Sequence, residues 1–211
     1  MLAPVEDFCR LVLLRHPELH PDHQDVVVGS GAAPLSRRGL ERAVRWARDL
    51  SVLRFDAVFC ADVPQCADPA KVLAHAHELT ERPDARLRDQ NMGRWQGRRW
   101  NEVAAAEPDA VREFFTHFGE HVPPGGENLG SAVERVFAWW QEIAPRALGQ
   151  TVGVVLAGNL ISGFACAMLG MRLSRAVSLG LPHGAIGILD VFANGARVAA
   201  WHPEALRDDV A

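Results

Sequence analysis

Arg15 and His16 stand side by side immediately after the apolar run Leu11-Val12-Leu13-Leu14, and Pro17 follows them. An imidazole attacks or carries protons near neutrality, and a guanidinium is a forked donor for anions. Taken alone, such a pair at a strand end is most simply a satisfied surface pair. The stretch VVLAGNLISG, residues 154–163, raises the converse question. It has the pattern of a buried strand that ends at a Gly-Asn turn and runs into an apolar helix, and open α/β sheets project catalytic side chains from such strand ends. Ala157 offers only a methyl group there.

Other residue types with chemical potential are less specific. Asp89 lies in a Gly-containing segment without clean periodicity and by itself reads as a solvated loop charge. His183 sits in Leu181-Pro182-His183-Gly184, where a turn histidine is the simpler reading. His20, Asp22, His23 and Asp25 share a Pro-containing polar loop but lack a ligand spacing specific for a metal. His75 and His77 share no helical face, and His117 and His121 straddle Gly119. Cys9, Cys60, Cys66 and Cys166 are far apart, with no C-x-x-C, so reduced thiols are expected rather than zinc or a disulfide framework. No metal and no cofactor is expected. Trp95, Trp100, Trp139 and Trp140 read as core or pocket wall.

The elements that must position these groups follow from periodicity. Residues 11–14 suit a fully buried strand of a parallel sheet. Ser36 can cap a helix with Leu40, Ala43, Val44, Ala47 and Leu50 at helical spacing. Residues 55–60 form a second strand candidate, followed by a helix through about Leu79. Residues 86–100 read as a structured loop, and helices are expected over 101–119 and 128–147, the latter with Leu129, Val133, Val136, Trp140 and Ile143 on one stripe. A strand at 151–157 and a helix at 159–169 stopped by Gly170 make a third β-α unit. Two last strands, 185–192 and 196–201, flank the hairpin signal Asn194-Gly195. Alternating β and α segments with a terminal hairpin imply an α/β fold, a mostly parallel sheet with an antiparallel edge.

The chain of 211 residues is 48% hydrophobic and 23% charged, so residues 1–211 are expected to form a single domain with a sizeable core. Its net charge of −4 supplies no basic field for nucleic acid or an anionic membrane. No apolar run has the length of a membrane span, and Glu6 and Asp7 stand where a secretory leader would be basic and then apolar. A cytoplasmic setting and a small-molecule partner are expected, with no nucleic acid and no membrane.

Five motifs in order resemble the histidine phosphatase superfamily, also called phosphoglycerate mutase-like. They are Leu14-Arg15-His16, Pro34-Leu35-Ser36-x-x-Gly39, Arg88-Asp89 before Gly93-x-Trp95-x-Gly97, Pro124-Gly125-Gly126-Glu127, and Leu181-Pro182-x-Gly184. Residues 10–200 are covered, and the Pro17 that replaces a commoner glycine is similar to members near the α-ribazole phosphatases. The resemblance implies a three-layer fold with helices on both faces of the sheet. It implies that His16 becomes a phosphohistidine, that Arg15 clamps the phosphoryl oxygens, and that Asp89 takes the place of a proton-donating glutamate. It also exposes departures. Ala61-Asp62-Val63-Pro64-Gln65 puts Gln65 where the family carries a second clamping arginine, Ala157 replaces the second pocket histidine, and Gln96 replaces a common glutamate.

Two readings follow. In the first, the pocket of Arg15, Gln65, Ala157 and His183 is degenerate, weak or inactive as a phosphatase, and kept for ligand binding or altered chemistry. In the second, the chain is a working phosphomonoesterase on a small phosphorylated metabolite, with His16 as nucleophile, Asp89 as acid, and His183 supplying an imidazole from a new direction.

Overall fold

The computed structural model describes residues 8–201. The acidic residues Glu6 and Asp7 lie outside the described residues, as do both ends of the 1–211 domain reading. One mixed sheet of six strands organises the chain, in the order β3-β2-β4-β1-β5-β6. Strands β1 (Cys9–Arg15), β2 (Ala57–Cys60), β3 (Arg82–Pro83) and β4 (Thr151–Leu156) run parallel, and β5 (Ile186–Phe192) with β6 (Gly195–Trp201) adds the antiparallel edge. Leu11, Val12, Leu13 and Leu14 are all fully buried, so both faces of the central strand are covered, as a continuous apolar run requires. Helices surround the sheet in packed pairs, α1 (Arg37–Asp49) with α2 (Pro64–Ala76) and α5 (Leu129–Ala147) with α6 (Gly158–Met168). No single helix among the described residues is long and apolar enough to cross a membrane.

Three local expectations change. The buried face of α1 is Gly39, Ala43 and Trp46, with Leu50 just after it, whereas Leu40 and Val44 are exposed. Trp46 takes the core because its indole N–H finds the Gly184 carbonyl at 2.9 Å, and Gly39 allows the helix to approach the Glu18 backbone too closely for any Cβ. The helix expected over 101–119 is two helices, α3 (Trp100–Ala106) and α4 (Pro108–Thr116). Pro108 forces the break, since the residue before a proline avoids the helical region and Glu107 adopts φ −135° and ψ 56°. The helix after β2 ends at Ala76 rather than near Leu79, and Glu78 turns the chain with φ 58° toward the two-residue strand β3. The 86–100 segment is a structured loop with a 3-10 turn at Gly93–Trp95, and a further 3-10 turn, Ala85–Leu87, leads into it.

Candidate active site

The carboxyl ends of β1 and β4 lie side by side, with Arg15 in register with Leu156. The His16 amide continues that ladder by donating to the Leu156 carbonyl at 3.0 Å, which brings His16 next to Ala157. On the other side the Gly184 amide donates to the carbonyls of Arg15 and His16 at 3.1 and 3.3 Å. His16 is therefore gripped by backbone on both flanks. Its imidazole is buried, and Nδ1 lies 2.9 Å from the Pro17 carbonyl, an acceptor. The proton therefore sits on Nδ1 and the lone pair on Nε2. Burial drives the pKa down to about 3, against the Pro17 bond and with help from His183 and Arg15. A buried imidazole that is neutral at physiological pH, with a fixed tautomer, is the state a nitrogen nucleophile needs.

Arg15 reaches across the start of α6. A Cβ on Gly158 would lie 2.8 Å from Arg15 Nε, so the close approach of the guanidinium requires glycine there. One terminal nitrogen donates to the Leu181 carbonyl and the other to His183 Nε2 at 3.0 Å, while Nε is buried without a partner. His183, exposed at the rim, places Nδ1 3.3 Å from the His16 carbonyl and its ring 4.9 Å from the His16 ring. Ala157 is buried at the N-cap of α6 and provides no side-chain cap. The strand end thus presents only a methyl group beside His16.

Asp89 enters from the loop after β3. It is half-buried, accepts the Gln90 amide at 2.8 Å, and has its pKa raised by burial to about 6, although that amide, Arg15 and Arg135 pull it down. It therefore carries a proton near neutrality in a larger fraction than a free aspartate does. Its loop is braced by Arg135 of α5, whose guanidinium donates to the carbonyls of Arg86 at 2.7 Å and Asp89 at 3.3 Å, and to Glu127 at 2.7 Å. Glu127 also accepts the Asn91 amide at 2.9 Å, which gives the Pro-Gly-Gly-Glu turn a bracing role. Arg135 escaped the sequence reading because helical periodicity weighs apolar positions, and this guanidinium recognises backbone carbonyls that carry no sequence signature.

Gln65 has a different occupation from a clamp. It is buried; its amide donates to the Gly31 carbonyl at 2.8 Å and accepts the Ala33 amide at 3.0 Å. Gln96 holds the same loop, accepting from the Ser30 amide at 3.1 Å, the Ser30 hydroxyl at 2.9 Å and the Met92 amide at 3.0 Å. Asp62 forms a bidentate ion pair with Arg88. The structure thus brings His16, Arg15 and His183 together, sets Ala157 beside His16, leaves Asp89 in electrostatic range of Arg15, and turns the polar atoms of Gln65 to the 31–33 backbone. His20 pairs with Asp22, and no group of three or more His, Cys, Asp or Glu side chains among the described residues could hold a metal.

A family model for the histidine phosphatase superfamily (branch 1) matches residues 11–203. The metal-independent phosphoserine phosphatase of Arabidopsis thaliana is 30% identical over 175 residues, covering 81% of this chain and 71% of that protein. Phosphoserine phosphatase 1 of Hydrogenobacter thermophilus is 27% identical over 180 residues, 85% of each. Among solved structures, mycobacterial glucosyl-3-phosphoglycerate phosphatase superposes with a TM-score of 0.84 at 24% identity, covering 92% of this chain and 99% of that one. An α-ribazole-5'-P phosphatase structure from Escherichia coli superposes with a TM-score of 0.82 at 19% identity, covering 92% and 96%. With the sheet order, the strand-end histidine and a family match over nearly the whole chain in agreement, this chain belongs to the histidine phosphatase superfamily.

Proposed function

We propose that this chain binds a small phosphorylated molecule at the ends of β1 and β4, and that its turnover through His16 is slow compared with its phosphatase relatives. The chemistry in this reading begins with His16 Nε2 attacking phosphorus in line. The phosphoryl group moves to that nitrogen as the ester oxygen leaves with the proton from Asp89, and water then cleaves the phosphohistidine. Catalysis of such a transfer depends on donors placed around the equatorial oxygens, where negative charge resides. Arg15 remains as a donor, but the Ala157 side chain has no polar atom and both amide functions of Gln65 are engaged by the loop backbone. That engagement of Gln65 is the observation that carries the reading. Loss of one such donor costs about 10²–10³ in rate, and the paired losses act on one transferring group, so a deficit of at least ~10² is expected.

A faster phosphomonoesterase is the second reading. It is favoured by the matched protonation states, a neutral His16 and an Asp89 carboxyl raised to about 6. The relatives whose names specify phosphoserine and glucosyl-3-phosphoglycerate make a small phosphomonoester the natural substrate class for either reading. Hydrolysis of p-nitrophenyl phosphate, measured beside the Arabidopsis phosphoserine phosphatase and with His16→Ala as control, separates them. A small His16-dependent rate supports slow turnover. A rate matching the relative, and lost in His16→Ala, refutes it.

A further inference from the structure

We propose that His183 is a positioning residue for the phosphate clamp: its Nε2 lone pair holds Arg15 in the pose that faces a bound anion. The proposal rests on the reading of this pocket as a phosphoryl site and deepens it. Arg15 is the one family clamp residue that this chain retains among the departures at 65 and 157, so the direction of its guanidinium decides how much charge reaches the ligand. Two arms are fastened, one on the Leu181 carbonyl and the other on His183 Nε2 at 3.0 Å. Both acceptors come from the same 181–184 turn and both are neutral, so neither spends the positive charge as a carboxylate partner would. The buried Nε has no partner and lies against the start of α6, next to Ala157.

His183 can accept from Arg15 only if its proton is on Nδ1, and the structure supplies the group that keeps it there, the His16 carbonyl at 3.3 Å. The turn itself is anchored. The Gly184 carbonyl accepts from Trp46 at 2.9 Å and Arg42 at 3.1 Å, while its amide donates to Arg15 and His16. His183 thus links the nucleophile's backbone to the clamp's side chain through one ring. In this arrangement the imidazole does not replace the group missing at 157; it orients the cation that is left.

Two substitutions separate the two ring nitrogens. Glutamine at this position reaches to where Nε2 stands and can accept from Arg15. Asparagine reaches only to the Nδ1 position and can serve only the His16 carbonyl. The probe is inorganic sulfate, a tetrahedral dianion whose charge does not change across the neutral range, titrated calorimetrically into the full-length protein. His183→Ala and His183→Asn are expected to bind sulfate about tenfold more weakly, the usual worth of one hydrogen bond to a charged group, and His183→Gln to stay within about twofold of the parent. In an Arg15→Ala background, His183→Ala should cause no further loss. The proposal is overturned if His183→Ala binds like the parent, if asparagine rescues and glutamine does not, if the loss persists without Arg15, or if the parent shows no saturable sulfate binding. Fast His16-dependent turnover would refute slow catalysis and leave the Arg15–His183 coupling intact, so the two failures are distinguishable.

Discussion

Ala157→His tests whether the methyl group at the end of β4 limits turnover. Ala157 follows Leu156, whose carbonyl accepts the His16 amide, so a side chain added at 157 emerges beside the His16 ring. The backbone there is extended, with φ −79° and ψ 154°, and accepts any residue. Gly158 leaves room for Arg15 alone, so the new ring must lie on the pocket side of the guanidinium. A positioned donor to the transferring oxygens is worth ~2.7–4 kcal/mol in the transition state, or about 10²–10³ in rate. An imidazole without an evolved supporting shell recovers part of this, so kcat/KM on p-nitrophenyl phosphate should rise at least about tenfold, and His16→Ala in the same background should remove the gain. Packing a ring onto a buried alanine site costs about 1–3 kcal/mol of stability, visible as a lower melting temperature. Gln65→Arg is expected to help less. A guanidinium can still donate to the Gly31 carbonyl but cannot accept the Ala33 amide, and an unpaired buried amide costs about 1–3 kcal/mol. If Ala157→His retains its circular dichroism and gains no rate, or gains one that survives His16→Ala, the methyl group at 157 is not the limiting defect.

Two further outcomes follow from the same geometry. Asp89 has its pKa raised from 3.8 to about 6, so the folded state holds its proton more tightly than the unfolded chain and this group's contribution to stability falls as pH rises from about 4 to about 6. Asp89→Asn should therefore raise the melting temperature at pH 7.5 relative to the parent and raise it less at pH 4; an equal shift at both would exclude the titration as the cause. Gln65→Leu leaves the Gly31 carbonyl and the Ala33 amide unpaired and should cost about 1–3 kcal/mol in denaturant unfolding, with faster amide exchange at Ala33. Unchanged stability and exchange would mean that Gln65 does not hold this loop.

What could be read from residues alone was the set of strand ends, because the continuous apolar runs at 11–14 and 151–156 announce buried parallel strands and the motif residues follow them directly. The Asn194-Gly195 hairpin and the Ser36 cap were legible for similar reasons, each being local turn chemistry. The face of α1 was not, since Leu40 and Val44 fit the helical period as well as Ala43 does. What selects Trp46 instead is a carbonyl at Gly184, far away in sequence. Strand β3 has two residues and no pattern to detect. The occupation of Gln65 was illegible for a deeper reason: its partners are main-chain atoms of residues 31 and 33, and backbone groups look alike in every sequence.

The two glutamines give that illegible part its physical sense. The family resemblance implies an arginine at 65 and makes a glutamate common at 96, one positive and one negative group near the pocket. Here both are neutral amides, and their exchange together leaves the net charge unaltered. Both bond the same short loop, Gln65 through its oxygen and nitrogen to Ala33 and Gly31, and Gln96 through its oxygen to Ser30. A charge in this partly buried wall without a partner would be expensive, whereas amides bonded to the loop are not. Both amides therefore serve the same 30–33 segment. Arg15 is then the cation that the family motif still supplies beside His16. Under the proposed anion-binding reading, the neutral acceptors of the 181–184 turn matter because a carboxylate on Arg15 would cancel the charge an anion needs.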